Sequence, residues 1–297
     1  MKYAIVIPAK DEEETLGRVL QSVAAQTLPC LTCLVVDDGS EDNTAGVVKE
    51  YAGKYNFFDY HRNNNEKKYV VGGHVVEVFT TGKEVLDKKG IDYEYIIKMD
   101  ADLEFEPDFM EKIAVKLQTN DKWGIVSGTP YYIEDGKKLF EVSPIWHSQG
   151  QFKIYSKKCL EEIGGIKKML GWDCADNIQA IEKGYKTEAF RDIHYKMFRM
   201  VGGKSSLLKG RIKHGMGAYN LHYSPGYLMF KLLHDLFKPP YIIGSIYYLR
   251  GYIKAMFGNY PNFLSKSQVK ILRKLFWESF TERFKNKEFI LFQKMNV

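Results

Sequence analysis

Short apolar runs that each stop at an acidic turn or a proline constrain this chain more than any other feature. Residues 3–7 (YAIVI) close at Pro8, residues 31–36 (LTCLVV) at Asp37-Asp38-Gly39-Ser40, and residues 95–99 (YIIKM) at Asp100-Ala101-Asp102. Runs of that length suit buried strands. Leu16, Val19, Leu20 and Val23 fall at i, i+3, i+4, i+7 behind the acidic cluster 11–14. Acids in a first turn complement the helix dipole, so the spacing predicts a helix. A second helix holds Val47, Val48 and Tyr51, residues 57–60 suit a third strand, and residues 73–89 another helix. Strands alternating with helices predict an α/β fold on a parallel sheet. Ligands of such sheets bind beyond the carboxyl ends of the strands, so the two aspartate clusters are expected on one rim.

Beyond Asp102 the pattern loosens. Residues 107–117 read as a helix, 124–128 and 150–155 as short strands, and 160–163 as a helix stopped by Gly164-Gly165. Asp173-Cys174-Ala175-Asp176 leads into a helix ending near Gly184. Residues 196–213 are rich in Gly, Ser, Lys and Arg and read as a mobile basic loop. The rest is aromatic and helical, with 18 Phe, Tyr or Trp among residues 219–297. Three parts are expected: a binding and catalytic domain over 1–195, a basic loop over 196–218, and a helical C-terminal region over 219–297.

Charge divides the chain in the same place. Residues 196–297 hold 18 Lys and Arg against 4 Asp and Glu, and residues 1–195 hold 25 against 33. An acidic front suits a metal, and a basic back suits an anionic partner. With 45% hydrophobic residues the chain has ample core, which excludes a disordered or disulfide-scaffold protein. Cys30-x-x-Cys33 lacks a second pair at metal spacing, since Cys159 and Cys174 stand alone, so core packing in a reducing compartment is expected. No signal peptide is read at Met1-Lys2-Tyr3. The apolar stretch 239–249 has 11 residues where a span needs about 20, so a cytoplasmic protein is expected. Bases interleave with large apolar residues at Phe230, Lys231, Phe237, Lys238, Tyr247, Tyr248, Arg250, Tyr252, Lys254 and Phe257. That interleaving suits helices on an anionic membrane surface, attached peripherally from the cytoplasmic face. Packing onto the sheet and a homodimer contact are the other readings. No nucleic-acid recognition motif accompanies the charge.

In Asp100-Ala101-Asp102, strand alternation points both carboxylates to one side, where they can hold a hard divalent cation against a diphosphate. Asp37-Asp38-Gly39-Ser40 alone is no more than a turn. Four segments in order change that reading: VIPAKDEEETLGRVLQSVAAQT, LVVDDGSEDNT, IIKMDADLEFEPD and GWDCADNIQAIEKGYKT. Through them residues 2–192 resemble the family 2 glycosyltransferases, enzymes of the GT-A nucleotide-diphospho-sugar fold.

The resemblance implies a Rossmann-like, mostly parallel sheet flanked by helices, with a basic aromatic helical C-terminal region. It implies inverting transfer of a sugar from a nucleotide-diphosphate donor to an acceptor hydroxyl, on a glycan or lipid-linked precursor of the cell envelope, with Mg²⁺ or Mn²⁺. Pro8, Ala9 and Glu12 would line the nucleoside pocket, and Asp37 or Asp38 would bond the base. Asp100 would sit near the donor sugar or ribose, and Asp102, with Asp100 beside it, would ligate the metal. Asp173 is expected as the base, although Trp172 stands where the family carries Glu. Asp176, one turn later, is the second candidate, and a helix N-cap is the plain structural role for Asp173. Arg199 and Arg211 would contact the diphosphate, the basic loop closing over it, and His194 or His214 would complete the metal site. A nucleotidyltransferase would want a Gly-rich basic loop after the first strand, where this chain is acidic. A degenerate, noncatalytic GT-A domain is the alternative that the missing Glu keeps open.

Overall fold

Strand β1 (Tyr3–Ala9) alternates its side chains between two cores, and this sets the layers of the molecule. The computed structural model describes residues 1–63, 73–141, 143–198, 207–236, 240–258 and 263–285. Tyr3, Ile5 and Ile7 face one side, where they join Leu16, Val19, Leu20 and Val23 of α1 (Glu13–Ala24) and Phe109 and Ile113 of α4 (Phe109–Gln118). Ala4 and Val6 face the other, against Val78, Phe79 and Leu86 of α3 (His74–Lys88). Burial on both faces is why these strands read as continuous apolar runs.

β1 pairs in parallel with β2 (Thr32–Asp37) and with β4 (Tyr95–Met99), and β2 pairs in parallel with β3 (Phe58–Arg62). Helix α2 (Thr44–Lys54) joins β2 to β3. The register sets Ala9 beside Asp37, so the carboxyl ends of these strands share one rim, as the aspartate clusters require. The sheet continues through β8 (Phe152–Ser156), antiparallel to β4, and then β6 (Trp123–Glu134), β9 (Lys186–Met197) and β5 (Leu103–Glu104). β7 (Lys137–Phe140) forms a hairpin on β6. Helices α5 (Lys157–Glu162) and α6 (Trp172–Glu182) follow β8. The result is the expected mixed α/β fold, a parallel half joined through antiparallel β8 to a second parallel pair, β6 and β9, with β5 antiparallel at the edge.

Two stretches depart from the sequence reading. Residues 186–197 form one long strand, which charged residues at Arg191, Asp192 and Lys196 conceal. The expected basic loop is helical where it is described, as α7 (Leu207–Asn220). Its glycines read as loop but serve packing: a methyl on Gly215 would overlap the Tyr248 carbonyl, and one on Gly251 the Ile212 carbonyl. These contacts bring α7 backbone to backbone with α9 (Tyr241–Met256), and α8 (Pro225–Asp235) packs beside α9. Lys204 of the expected loop lies outside the described residues.

The C-terminal region is divided in its packing. Leu264, and Leu272 and Phe276 of α10 (Lys266–Lys285), share a core with Trp146, Cys174, Ala175 and Ile178. The Phe276 ring stacks on Tyr227 with centroids 4.6 Å apart. These aromatics pack on Trp146 and α6, whereas the alternative weighed from the sequence was packing onto the sheet. Cys30, Cys33, Cys159 and Cys174 are buried free thiols, as the core-packing reading requires. No helix among the described residues is long and apolar enough to cross a membrane.

The glycine contacts generate a paired prediction. Gly251→Ala should destabilise the protein by about 1–3 kcal/mol, because backbone on α7 must yield. Gly53→Ala, in α2 with nothing within 4 Å of the added carbon, should be neutral or stabilising by up to about 1 kcal/mol. Urea denaturation of both variants measures the contrast.

Candidate active site

The acidic loops after β1 and β2 are built as one interlocked unit. Asp11 N donates to Ser40 Oγ at 3.0 Å, and Glu41 N returns a bond to Asp11 Oδ1 at 2.8 Å. Glu12 N donates to Thr44 Oγ1 at 2.9 Å and Glu13 N to Asp42 Oδ2 at 3.0 Å. Asp11 takes a left-handed backbone (φ 52°), which these bonds hold in place. Asp38 N donates to Ala9 O at 2.9 Å, so Pro8, Ala9, Glu12 and Asp38 gather at one edge of the rim.

Asp37 is fully buried and its carboxylate serves the protein. It accepts from Ser40 N at 2.7 Å, Tyr60 Oη at 2.6 Å and Arg62 Nη1 at 3.1 Å. Burial pushes its carboxyl up, but the bonds from Tyr60 and Ser40 and the charge of Arg62 together hold it below the usual range. Of the two candidates for contacting a base, Asp38 is the one nearer the surface; it accepts from Asn63 Nδ2 at 3.2 Å and from His74 Nε2.

At the end of β4, Thr15 Oγ1 donates to Ala101 O at 2.8 Å, which ties the Asp100-Ala101-Asp102 turn to α1. Lys98, one turn of alternation earlier, is buried and pairs with Asp100 Oδ1. The two carboxylates, one residue apart on hard oxygen donors, fit Mg²⁺ or Mn²⁺. Among the described residues no group of three or more His, Cys, Asp and Glu gathers to hold a metal. A cation here would therefore draw its remaining ligands from a diphosphate and water. His214 does not complete the set: it lies on the exposed side of α7. His194 does not either, since its Nε2 donates to Arg191 O at 2.7 Å and its ring lies on Phe140, beside a cavity of about 410 Å³ between α1, β5 and β9.

Asp173 and Asp176 face different worlds from one helix. Asp176 is entirely buried, taking Lys153 Nζ at 2.5 Å, Tyr155 Oη at 2.6 Å and Asn177 N at 2.6 Å. Burial pushes its carboxyl up against the pull of Lys153. Enclosed in that way, it has no path to an acceptor and is a structural ion-pair partner instead of the second base candidate. Asp173 keeps 36% of its side chain exposed. It is not the N-cap, a position held by Gly171 in a left-handed conformation. His147 Nε2 stands 3.5 Å from Asp173 Oδ2. Burial pushes the Asp173 carboxyl up, but His147 and Lys153 outweigh it and hold the group well below the usual carboxylate range.

Lys98 joins this carboxylate to the metal-type pair. Its Nζ also donates to Gly150 O at 2.8 Å, and a Cβ on Gly150 would lie 3.1 Å from that of Asp173. Lys98 and Lys153 are direct partners across β4 and β8, and each ammonium lies 5.4 Å from the centre of the Trp172 ring. Trp172, which replaces the expected Glu, thus caps two buried cations with its π face. Sequence reasoning missed Lys98, Lys153, Glu141 and His147. A lysine inside each of two apolar runs was the available signal. Desolvation pushes Glu141 up to about 7, with His147 and Asp173 nearby. Tyr195 Oη, Gln151 Oε1 and His147 Nε2 are buried without a hydrogen-bond partner.

Of the two arginines expected at a diphosphate, Arg211 bonds Asp235 Oδ2 through Nη1 at 2.8 Å, which joins α7 to α8. Arg199 lies outside the described residues. The buried pair gives a direct test. Asp176→Asn leaves Lys153 uncompensated and should cost about 3–5 kcal/mol, read by denaturant unfolding. Lys153→Met with Asp176→Leu should recover much of that loss.

Comparison with known proteins places the chain in a family. The model of glycosyl transferase family 2 matches residues 4–170. The chain is 27% identical over 134 residues to a 4,4'-diaponeurosporenoate glycosyltransferase of Staphylococcus haemolyticus, covering 44% of this chain and 32% of that protein. It is 24% identical over 183 residues to a poly-beta-1,6-N-acetyl-D-glucosamine synthase of Staphylococcus epidermidis, covering 54% and 41%. It therefore spans less than half the length of these relatives. In fold it is similar to S. aureus TarS 1-349 in complex with UDP-GlcNAc (TM-score 0.58, 16% identity, 96% of this chain and 92% of that one). It is also similar to the mannosyltransferase PcManGT from Pyrobaculum calidifontis in complex with GDP-Man and Mn2+ (TM-score 0.57, 15% identity, 96% and 88%). With more than half of its length matched by the family model, the chain belongs to glycosyl transferase family 2.

Proposed function

We propose that this protein transfers a sugar from a nucleotide-diphosphate sugar to an acceptor hydroxyl with inversion, using Asp173 as the base. The observation that carries the reading is the nearness of Asp100 to Asp173: buried Lys98 pairs with Asp100 and donates to Gly150 O, and Gly150 packs against the half-buried Asp173 side chain. Asp100 suits the leaving diphosphate and Asp173 the incoming hydroxyl. Pro8, Ala9, Glu12 and Asp38 are the residues proposed to hold the nucleoside. Asp102 and Asp100 are those proposed for Mg²⁺ or Mn²⁺, which when bound would neutralise charge on the diphosphate. Gln151, half-buried with Oε1 lacking a partner, is the residue beside them that fits a hydroxyl of a sugar.

In the reaction the acceptor oxygen bonds to C1 of the sugar while the bond from C1 to the diphosphate oxygen breaks. The electron pair leaves on the nucleoside diphosphate, and the acceptor proton passes to Asp173. His147 and Lys153 keep that carboxylate ionised before the step. The relatives named for glycosyl transfer to a carotenoid acid and for synthesis of a polysaccharide support acceptors of lipid or glycan type. Trp172 in place of Glu favours a second reading, a nucleotide-binding domain without catalysis.

Calorimetry with UDP, GDP and dTDP, each with and without Mn²⁺, separates the two. The proposed enzyme binds one nucleotide in a metal-dependent way, and Asp102→Asn removes that dependence. In a transfer assay with the matching sugar nucleotide, Asp173→Asn should lower kcat by roughly 10²–10⁴ with donor affinity retained. Retained nucleotide binding with no turnover in the wild type would favour the noncatalytic reading. The pH profile carries a signed test. Because Asp173 is held below the ordinary range, the acid limb of kcat/KM should lie below about 4 in the wild type. His147→Ala removes the leading stabiliser of the carboxylate and should move that limb upward toward about 4.

A further inference from the structure

Helix α9 buries one face and leaves the other bare. Gly244, Ser245, Tyr248, Gly251 and Ala255 are buried, and Gly251 and Tyr248 meet α7. Opposite them Ile242, Ile246, Leu249, Ile253 and Met256 are exposed, at alternating spacings of four and three that make one continuous stripe. Ile242 is 62% exposed, and Phe257 at the end of the helix is 81% exposed. Arg250 and Lys254, one turn apart, are exposed beside the stripe, and Lys209 and Lys213 are exposed on α7.

What covers such a face is decided by its charge. Residues 207–258 contain seven Lys and Arg and a single acid, Asp235. Asp235 is buried and bonded to Arg211 and Lys231, so among the described residues of this segment no carboxylate is exposed. A second copy of the chain would bring the same positive face and repel it. An anionic bilayer surface meets both requirements, taking the aliphatic stripe into its acyl boundary while the stems of Arg250 and Lys254 carry their charges to the headgroups. The helix is 16 residues long and lies on the surface of the fold, so it would rest in the interface without spanning it.

We propose that α9, with Arg250 and Lys254 beside its apolar stripe, is a docking face for anionic lipid membrane. α7 also packs at its C-terminal end on the start of α6: Asn220 Nδ2 donates to Leu170 O at 3.4 Å, and Leu221 closes on Gly171, two residues before Asp173. If the proposed transfer holds, on which this consequence rests, the acceptor class that fits is a hydroxyl carried by a lipid at the bilayer surface.

The test needs no turnover, so its failure is distinct from failure of the transferase reading. The full chain is floated with vesicles of phosphatidylcholine alone and with 30% phosphatidylserine, an anionic fraction of roughly the scale found in cytoplasmic leaflets. Expected are flotation with the anionic vesicles, its loss in high salt, and a roughly tenfold or greater weakening by Arg250→Gln with Lys254→Gln. Ile246→Ser with Ile253→Ser should abolish flotation while the circular dichroism spectrum and melting temperature stay unchanged. No flotation of the folded chain with either vesicle overturns the proposal. So does light scattering that finds a dimer which the serine substitutions dissociate, since a second copy would then cover the stripe.

Discussion

Two lysines placed opposite each other inside a sheet govern the site. Lys98 and Lys153 are paired residues of β4 and β8, with side chains 3% and 0% exposed. Like charges directly across a pair of strands repel, and an uncompensated buried ammonium costs several kcal/mol. The surroundings answer both penalties. Asp100 and Gly150 O take Lys98, Asp176 and Asp173 O take Lys153, and the Trp172 ring lies near both. The groups that satisfy these two cations are also those that set the positions of Asp100, Gly150 and Asp173. Compensation of buried charge and construction of the site are therefore one arrangement.

That arrangement gives two aspartates on one helix different work. Asp173 and Asp176 are three residues apart, and both feel Lys153. Asp176 is enclosed between Lys153 and Tyr155, where its charge balances the core. Asp173 gives the lysine its carbonyl and keeps its carboxylate at the surface beside His147. Environment, not residue type, separates them, as it does wherever two carboxylates in one site have distinct roles. The tryptophan before Asp173 belongs to the same logic, since a π face next to two ammoniums supplies attraction without another buried negative charge.

Beyond the sheet, the chain uses glycine for closeness more than for freedom. Gly215 and Gly251 let α7 and α9 approach through their backbones, and Gly150 makes room for Asp173. Small residues in a helix leave little periodic signal, so α7 reads as loop although its packing against α9 is among the closest in the fold. α10 shows the opposite behaviour. Its Leu272 and Phe276 complete a core begun by Trp146 and Ile178, which binds the end of the chain to α6.

The sequence alone determined the parallel half of the sheet, because β1, β2 and β4 are buried on both faces and are apolar except where a buried charge such as Lys98 finds a partner. It also determined that Asp37-Asp38 and Asp100-Ala101-Asp102 meet at one rim, since parallel strands carry their carboxyl ends to the same edge. Which charged groups are taken up inside the protein was decided by tertiary structure. Asp37 is bonded by Tyr60 and Arg62 from a neighbouring strand, Asp176 by Lys153 from another, and Arg211 by Asp235 from another helix. Spacing along the chain carries local periodicity and strand direction. The partner of a buried charge comes from residues tens of positions away, and only the folded chain brings them within hydrogen-bond reach.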